Sequence, residues 1–341
     1  MRNRTRLFVT VACSTLVVGV ATAGVASYVG LERIGLTGST SSNDLAFIPG
    51  SAQIVGYADV RHLMDSNLRH LLQPALPATT PAPSGASNPL EQIGLNPETD
   101  VDSVVVAALP GQTPTDNVPL LVAHGRFDTG RIEAALRNAG GAPSDYRGIR
   151  TVTTDKMGVA FVETGVILVG QPAAIHQALD TKSSGTGSVT SDDSLMRLVH
   201  RVDSSNTWMV ANFQALQALK QLPAGVGSQL PAITWLAAAG EVGDGLSARI
   251  FAEGRDERAA QDLREVVKGF VALARMQTGQ EAALADFLNS IQLTAEGNTV
   301  TLSFAVPAQF FERLKSNGAL KPLPQEQRPA VKGRAPARPA A

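Results

Sequence analysis

"VILVGQPAAIHQAL" (Val166–Leu179) and "VTLSFAVPAQFFERL" (Val300–Leu314) share one order: an apolar strand, Pro-Ala, then a short amphipathic helix. Proline suits the first turn of a helix, where its missing N–H would find no intrahelical partner anyway. Two such stretches in one chain raise the question of a unit used twice, and working outward from each gives similar surroundings. Before the first come "VDSVVVAALPG", "PLLVAHGRF", "GIRTVTT" and "MGVAFVET", all strand-like. Before the second come "ITWLAAAGEVGDGLSARIFAEG", two strands around a Gly-rich turn, and the hairpin "IQLTAEGNTVTLSFAV".

Each series opens alike. "IVGYADVRHLMDSNL" and "TWMVANFQALQALKQL" are strands running into helices, capped by Asp59 and Asn212. Val60, Leu63, Met64, Leu68, Leu71 and Leu72 recur at helical spacing after Asp59. Asp128 caps "TGRIEAALRNAG", and Gly140-Gly141 ends it. The longest helix is "RDERAAQDLREVVKGFVALARMQ", with Ala260, Leu263, Val267, Phe270 and Ala274 expected along its buried side. The expected fold is α+β: two similar α/β halves, each a mainly antiparallel sheet with helices packed on one face, after an N-terminal transmembrane helix. Whether the halves join in one sheet or pack side by side stays open.

The ends are different in kind. Residues 1–6 carry three arginines and form a cytoplasmic basic segment. Leu7 to Leu31 is 25 residues without a charge. A bilayer crossing needs about 20 apolar residues, whereas a signal-peptide core needs only about 7–15. The length favours an uncleaved signal anchor with everything after it outside the cytoplasm. Cleavage near Ala21–Ala23 or Val25–Ser27, with secretion, stays open, as does lipid attachment at Cys13, the one cysteine. The expected place is the inner membrane, single-pass, with the bulk of the chain periplasmic. Residues 32–46 are the linker. Residues 47–183 form the first half, with a Pro/Ala/Ser loop at 74–89, and 191–314 form the second. Residues 315–341 are a basic Pro/Ala tail that cannot bury enough apolar surface to fold.

The net charge of −1 hides +3 in residues 1–6, +5 in residues 315–341 and −9 between them. A mildly acidic body argues against a nucleic-acid face. One cysteine excludes an intramolecular disulfide and a Cys-based zinc site.

The sequence holds no Gly-x-Ser-x-Gly elbow, Walker loop, His-Glu-x-x-His or Gly-x-Gly-x-x-Gly. No catalytic, metal or cofactor residue is assigned, and no cofactor is expected. His62 and His70, eight apart on one helix, are too distant to share a metal. His176 and His200 fall on polar helix sides. His124, beside Gly125 and Arg126 in a strand, is the one histidine placed to enter a pocket, with Asp100 and Asp102 of "NPETDVDS" as acidic company. The plainer reading makes His124 a rim or core residue and the acids turn formers. Trp208, Trp235, Tyr57 and Tyr146 can floor a glycan or peptide groove, or fill the core.

Taken together, "IPGSAQIVGYADVRHLMDSNLR", "GLNPETDVDSVVVA", "GRFDTGRIEAAL" and "DLREVVKGFVALARMQ" resemble a family of uncharacterised exported bacterial proteins, found in soil bacteria such as acidobacteria. The resemblance spans Phe47 to Leu314. It implies export, membrane attachment and a folded body, and carries no activity. The resulting expectation is a non-catalytic, membrane-anchored envelope protein that binds a partner protein or envelope polymer. The alternatives are a hydrolase with an unrecognised site around His124 and the acids, and a carrier of a lipid or other apolar ligand.

Overall fold

The computed structural model describes residues 42–67, 95–111, 117–218, 233–277 and 282–316. The expected transmembrane segment, most of the linker, the 74–89 loop, Leu68, Leu71, Leu72 and the tail beyond Ser316 lie outside the described residues. Among the described residues no helix is long and apolar enough to cross a membrane.

The strands are β1 (Ile54–Asp59), β2 (Val101–Pro110), β3 (Asn117–Gly125), β4 (Ala142–Tyr146), β5 (Ile149–Thr153), β6 (Gly158–Glu163), β7 (Val166–Gly170), β8 (Thr207–Asn212), β9 (Ile233–Val242), β10 (Leu246–Gly254), β11 (Gln292–Glu296) and β12 (Thr299–Val306). They form one 12-stranded sheet in the order β11-β12-β10-β9-β8-β1-β2-β3-β7-β6-β5-β4. Every pairing is antiparallel. The question left open by the sequence is thereby answered: the halves join through β1 and β8, in register from Ile54↔Ala211 to Ala58↔Thr207.

The helices are α1 (Ser42–Leu45), α2 (Val60–Met64), α3 (Pro97–Asp100), α4 (Thr129–Asn138), α5 (Pro172–Ser184), α6 (Asp193–Val202), α7 (Phe213–Ala218), α8 (Glu257–Gln277), α9 (Ala282–Ser290) and α10 (Ala308–Ser316). The expected caps form. Asp59 accepts from the His62 N–H, Asp128 from the Arg131 N–H and Asn212 from the Gln214 N–H; Asp192 caps α6 in the same way, accepting from Ser194 and Leu195. Pro172 opens α5. Gly140, at φ 87°, ends α4 where a side chain would be strained.

Side chains alternate across a sheet, so each strand serves two faces. On the front face, Val55, Tyr57, Val105, Val122, Leu168, Trp208 and Val210 pack against α1, α5 and α6. On the back, Val104, Val106, Leu121, Val159 and Val169 pack against α2 and α4. The back of the second half is covered by α7 over Met209 and Ala211, α8 over Ala252 and Val300, and α9 with α10 over Ala248 and Phe304.

Helices on one face only is therefore corrected for the first half, which is covered on both. The physical reason lies in its strands. Val104 to Leu109 and Val166 to Val169 are continuous apolar runs, and neither face of such a strand tolerates water. The two Pro-led helices also part company: α5 seats Ile175 on the front, whereas α10 seats Phe311 on the back. Other differences are local. Residues 42–45, within the expected linker, form α1 with Asp44 and Leu45 buried. α5 runs on to Ser184, and a 3-10 turn at Val189–Ser191 buries Val189.

Ile175 and Phe311 are both almost fully buried, on opposite layers. Ile175→Ala should cost about 2–5 kcal/mol and Phe311→Ala about 3–5 kcal/mol. Urea denaturation checks both. A loss below about 1 kcal/mol at either site would contradict the packing of that layer.

Candidate functional site

With α10 on the back, no helix among the described residues covers the front of β10, β12 and β11. That face is polar. Ser247, Arg249 and Glu253 of β10 share it with Thr301 and Ser303 of β12 and Gln292, Thr294 and Glu296 of β11. Register places Ala239, Arg249, Ser303 and Gln292 in one row across four strands. The small residues on both sides of Arg249 leave its guanidinium exposed above the sheet.

α6 stands beside this face. Its Leu195, Leu198, Val199 and Val202 are buried on the front, a spacing that makes one side of the helix apolar. Two clefts open where the helix meets the bare sheet. One, of about 280 Å³, lies past the end of α6 among Ser205, Glu241, Ser247, Arg249, Gln292 and Ser303. The other, of about 390 Å³, lies at the start of α6 among Gln53, Asp192, Asn212, Gln214 and Trp235. Six residues of β9 separate Trp235 from Glu241, or about 20 Å of strand. Between the clefts the front of β9 is closed, with Ala237 and Ala239 buried in the core beneath α6, so they are two separate polar sites at the two ends of that helix. The first cleft carries one cation and one carboxylate on neighbouring strands at Arg249 and Glu241, and its hydroxyl and amide groups suit a polar ligand better than an apolar one.

The sequence singled out other residues, and the structure disperses them. His124 points to the front, where its Nε2 lies 2.6 Å from Oδ1 of Asp44 in α1. Asp44 is only 4% exposed, so this contact satisfies a carboxylate that burial would otherwise penalise. The hydrogen bond to Asp44 raises the His124 pKa above its usual value, and burial opposes the rise. Asp100 turns back on its own helix, accepting from the Asn96 N–H at 2.8 Å and the Thr99 hydroxyl at 2.7 Å. The Asp100 carbonyl accepts from the Arg126 N–H at 2.8 Å, so these two meet through the main chain. Asp102 pairs with Arg61 of α2, a solvent-exposed contact of small energetic weight. Among the described residues, no cluster of three or more His, Cys, Asp or Glu is placed to hold a metal ion.

Of the four aromatics, Tyr57 and Trp208 are buried partners across the β1–β8 seam, with ring centroids 6.3 Å apart. Burial and the nearby Asp59 and Asp44 push the Tyr57 pKa up to about 12, with a Ser103 hydrogen bond opposing. Tyr146 stacks on His176 at 3.8 Å and donates to Asp180, which removes His176 from the solvated side expected of it. Only Trp235 reaches a cleft. Arg249, Ser303 and Gln292 were not singled out, although "LSARIFAEG" and "VTLSFAV" alternate polar and apolar residues as a half-covered sheet requires.

No family model and no curated protein matches this chain. Among solved structures, crystal form I of TP0453 is similar at TM-score 0.47 and 10% identity, over 83% of this chain and 99% of that one. Crystal form IV gives 0.46 and 11%, over 82% and 97%. Likeness at this level carries no functional argument.

Two tests follow from the His124 region. A histidine whose folded pKa is raised adds stability that is complete below about pH 6.5 and is lost as pH rises through the folded value. Asp44→Asn should therefore flatten the pH dependence of the urea midpoint between about pH 5.5 and 8.5, and an unchanged slope would remove the pair from the account. Gly125→Ala should destabilise by about 1–3 kcal/mol, because its Cβ would stand 1.9 Å from the Asp100 carbonyl oxygen. A midpoint equal to wild type would deny that close approach.

Proposed function

We propose that this chain is a membrane-tethered, non-catalytic binding protein of the cell envelope, which holds a partner protein or an envelope component on the open front of its second half. The observation that carries the reading is the unequal cover of one continuous sheet. Among the described residues, the first half is closed by helices on both faces, and the second is left polar and bare beside α6. A solvated face is ordinary for an antiparallel sheet. What favours a ligand is the wall of α6 and the two clefts at its ends.

The uncharged run from Leu7 to Leu31, with three arginines before it, supports a single-pass tether with the body outside the cytoplasm. Internal duplication belongs to the same reading. Strand, helix, two strands, helix, hairpin and Pro-led helix recur in that order on the two sides of the β1–β8 seam, with α3 and the hairpin β4–β5 additional in the first half and α9 in the second. The final helix then changes face, and that change is what bares the second half.

A photo-crosslinking residue at Arg249, exposed at the centre of the row, tests the proposal in the full chain in its own membranes. One discrete adduct from Arg249, absent from the same residue placed at the exposed turn position Asp155, is the expected outcome. Matching patterns from both positions, or no adduct from Arg249, would reject the open front as the binding surface.

A further inference from the structure

We infer that the last three turns of α8 lie on an anionic bilayer surface, with Phe270, Leu273 and Met276 seated at the boundary between headgroups and acyl chains. This rests on the tether proposed above. These three residues are 45%, 52% and 83% exposed, and they are the exposed large hydrophobics among the described residues. Phe270 was expected on the buried side of α8. Instead Ala260 and Leu263 take that side, with Val267 and Ala274 partly packed, and the three large residues spiral outward at steps of three. A solvated helix carries polar residues there, and an outward apolar stripe marks a surface that meets another apolar phase.

Placement and charge select the bilayer. Strand registers connect His124, Ser103 and Asp59, then Ala58, Thr207, Gly240 and Ala248, along one end of the sheet. α1 is fixed to that end through Asp44 and His124, so the chain enters the body there. The linker from Glu32 to Ser41 is ten residues, which reach at most about 35 Å from the apolar run. β12 finishes at the same end with Val306 opposite Leu246, so α10 starts from it. The closing turns of α8 come back to it too, since Ala274 packs against the cluster that holds Val242, Leu246 and Val306. From Val266 to Gln277 the only charged residues are Lys268 and Arg275. Lys268 bonds Glu265 at 2.8 Å, and Arg275 donates to the Leu288 carbonyl at 3.0 Å, which keeps both cations beside the stripe. Basic groups flanking an apolar stripe match anionic lipid. A second copy of the chain would cover the stripe, but it would give no reason for the chain's entry at α1 and the stripe to meet at one end.

The test uses the full chain with Cys13→Ser and Met276→Cys, carrying a polarity-sensitive fluorophore, in vesicles of phosphatidylcholine and phosphatidylglycerol doped with a nitroxide lipid labelled near the headgroup. The label at 276 should shift to the blue and lose most of its emission, while the same label from Arg255→Cys, at the far end of α8, should keep it. Phe270→Ser with Leu273→Ser should restore emission at 276. Equal emission from the two positions overturns the inference, as does energy transfer between copies labelled at 276 without quenching, which would assign the stripe to a second copy. Alkaline carbonate extraction of the same vesicles separates the two claims. A released chain denies the tether and the inference with it; a retained chain with an unquenched label at 276 denies only the docking.

Discussion

The pairing of β1 with β8 is the constraint on which the rest depends. Each strand begins its half, and each would be an edge if the halves stood apart, with a row of unpaired backbone groups. Joined, they lie at the centre of a sheet that continues on both sides. Tyr57 and Trp208 face each other across this seam and are buried together on the front. With its pKa pushed up to about 12, the Tyr57 phenol stays neutral in that layer and keeps its Ser103 hydrogen bond. Ala58 and Ala211 serve the back, where small side chains let α2 and α7 approach closely.

From the seam outward the halves diverge. The first adds the β4–β5 hairpin and turns α5 to the front, so Tyr146 of that hairpin packs on His176 of α5 and bonds Asp180. The second sends its Pro-led helix to the back, where Phe311 joins Phe287 and Phe304. Similar sequence at Pro172 and Pro307 thus starts helices with opposite destinations. The choice is made by the strands beneath them. Leu168 and Ala160 offer an apolar front, whereas Ser303, Arg249 and Gln292 do not.

Much of this was legible in the sequence, because local rules governed it. Caps at Asp59, Asp128 and Asn212, the Pro start of α5 and the β11–β12 hairpin all depend on neighbours within a few residues. What escaped depends on distant partners or on weak local cues. The β4–β5 turn uses Arg147 and Gly148 at φ 54° and 78°, and an arginine gives little notice of a left-handed turn position. The Asp44–His124 pair joins residues 80 apart, which spacing in one sequence does not reveal. Phe270 falls within the apolar spacing of Ala260, Leu263, Val267 and Ala274, and spacing alone does not show which residue of such a series turns outward. The open front was present as alternation in "LSARIFAEG", but one-sided cover was expected of every strand, so the contrast with the continuous run "VVVAAL" went unused.

Native-state hydrogen exchange of β1 and β8 tests the central claim most directly, since the seam decides whether one half-covered sheet exists at all. Strands bonded on both sides deep in one sheet open only with the cooperative unit that contains them. The account predicts that amides from Ile54 to Ala58 and from Thr207 to Ala211 exchange together, among the slowest in the chain and far more slowly than those of the edge strand β4. Exchange of β1 or β8 at the rate of β4 would show two separate sheets and would contradict the account.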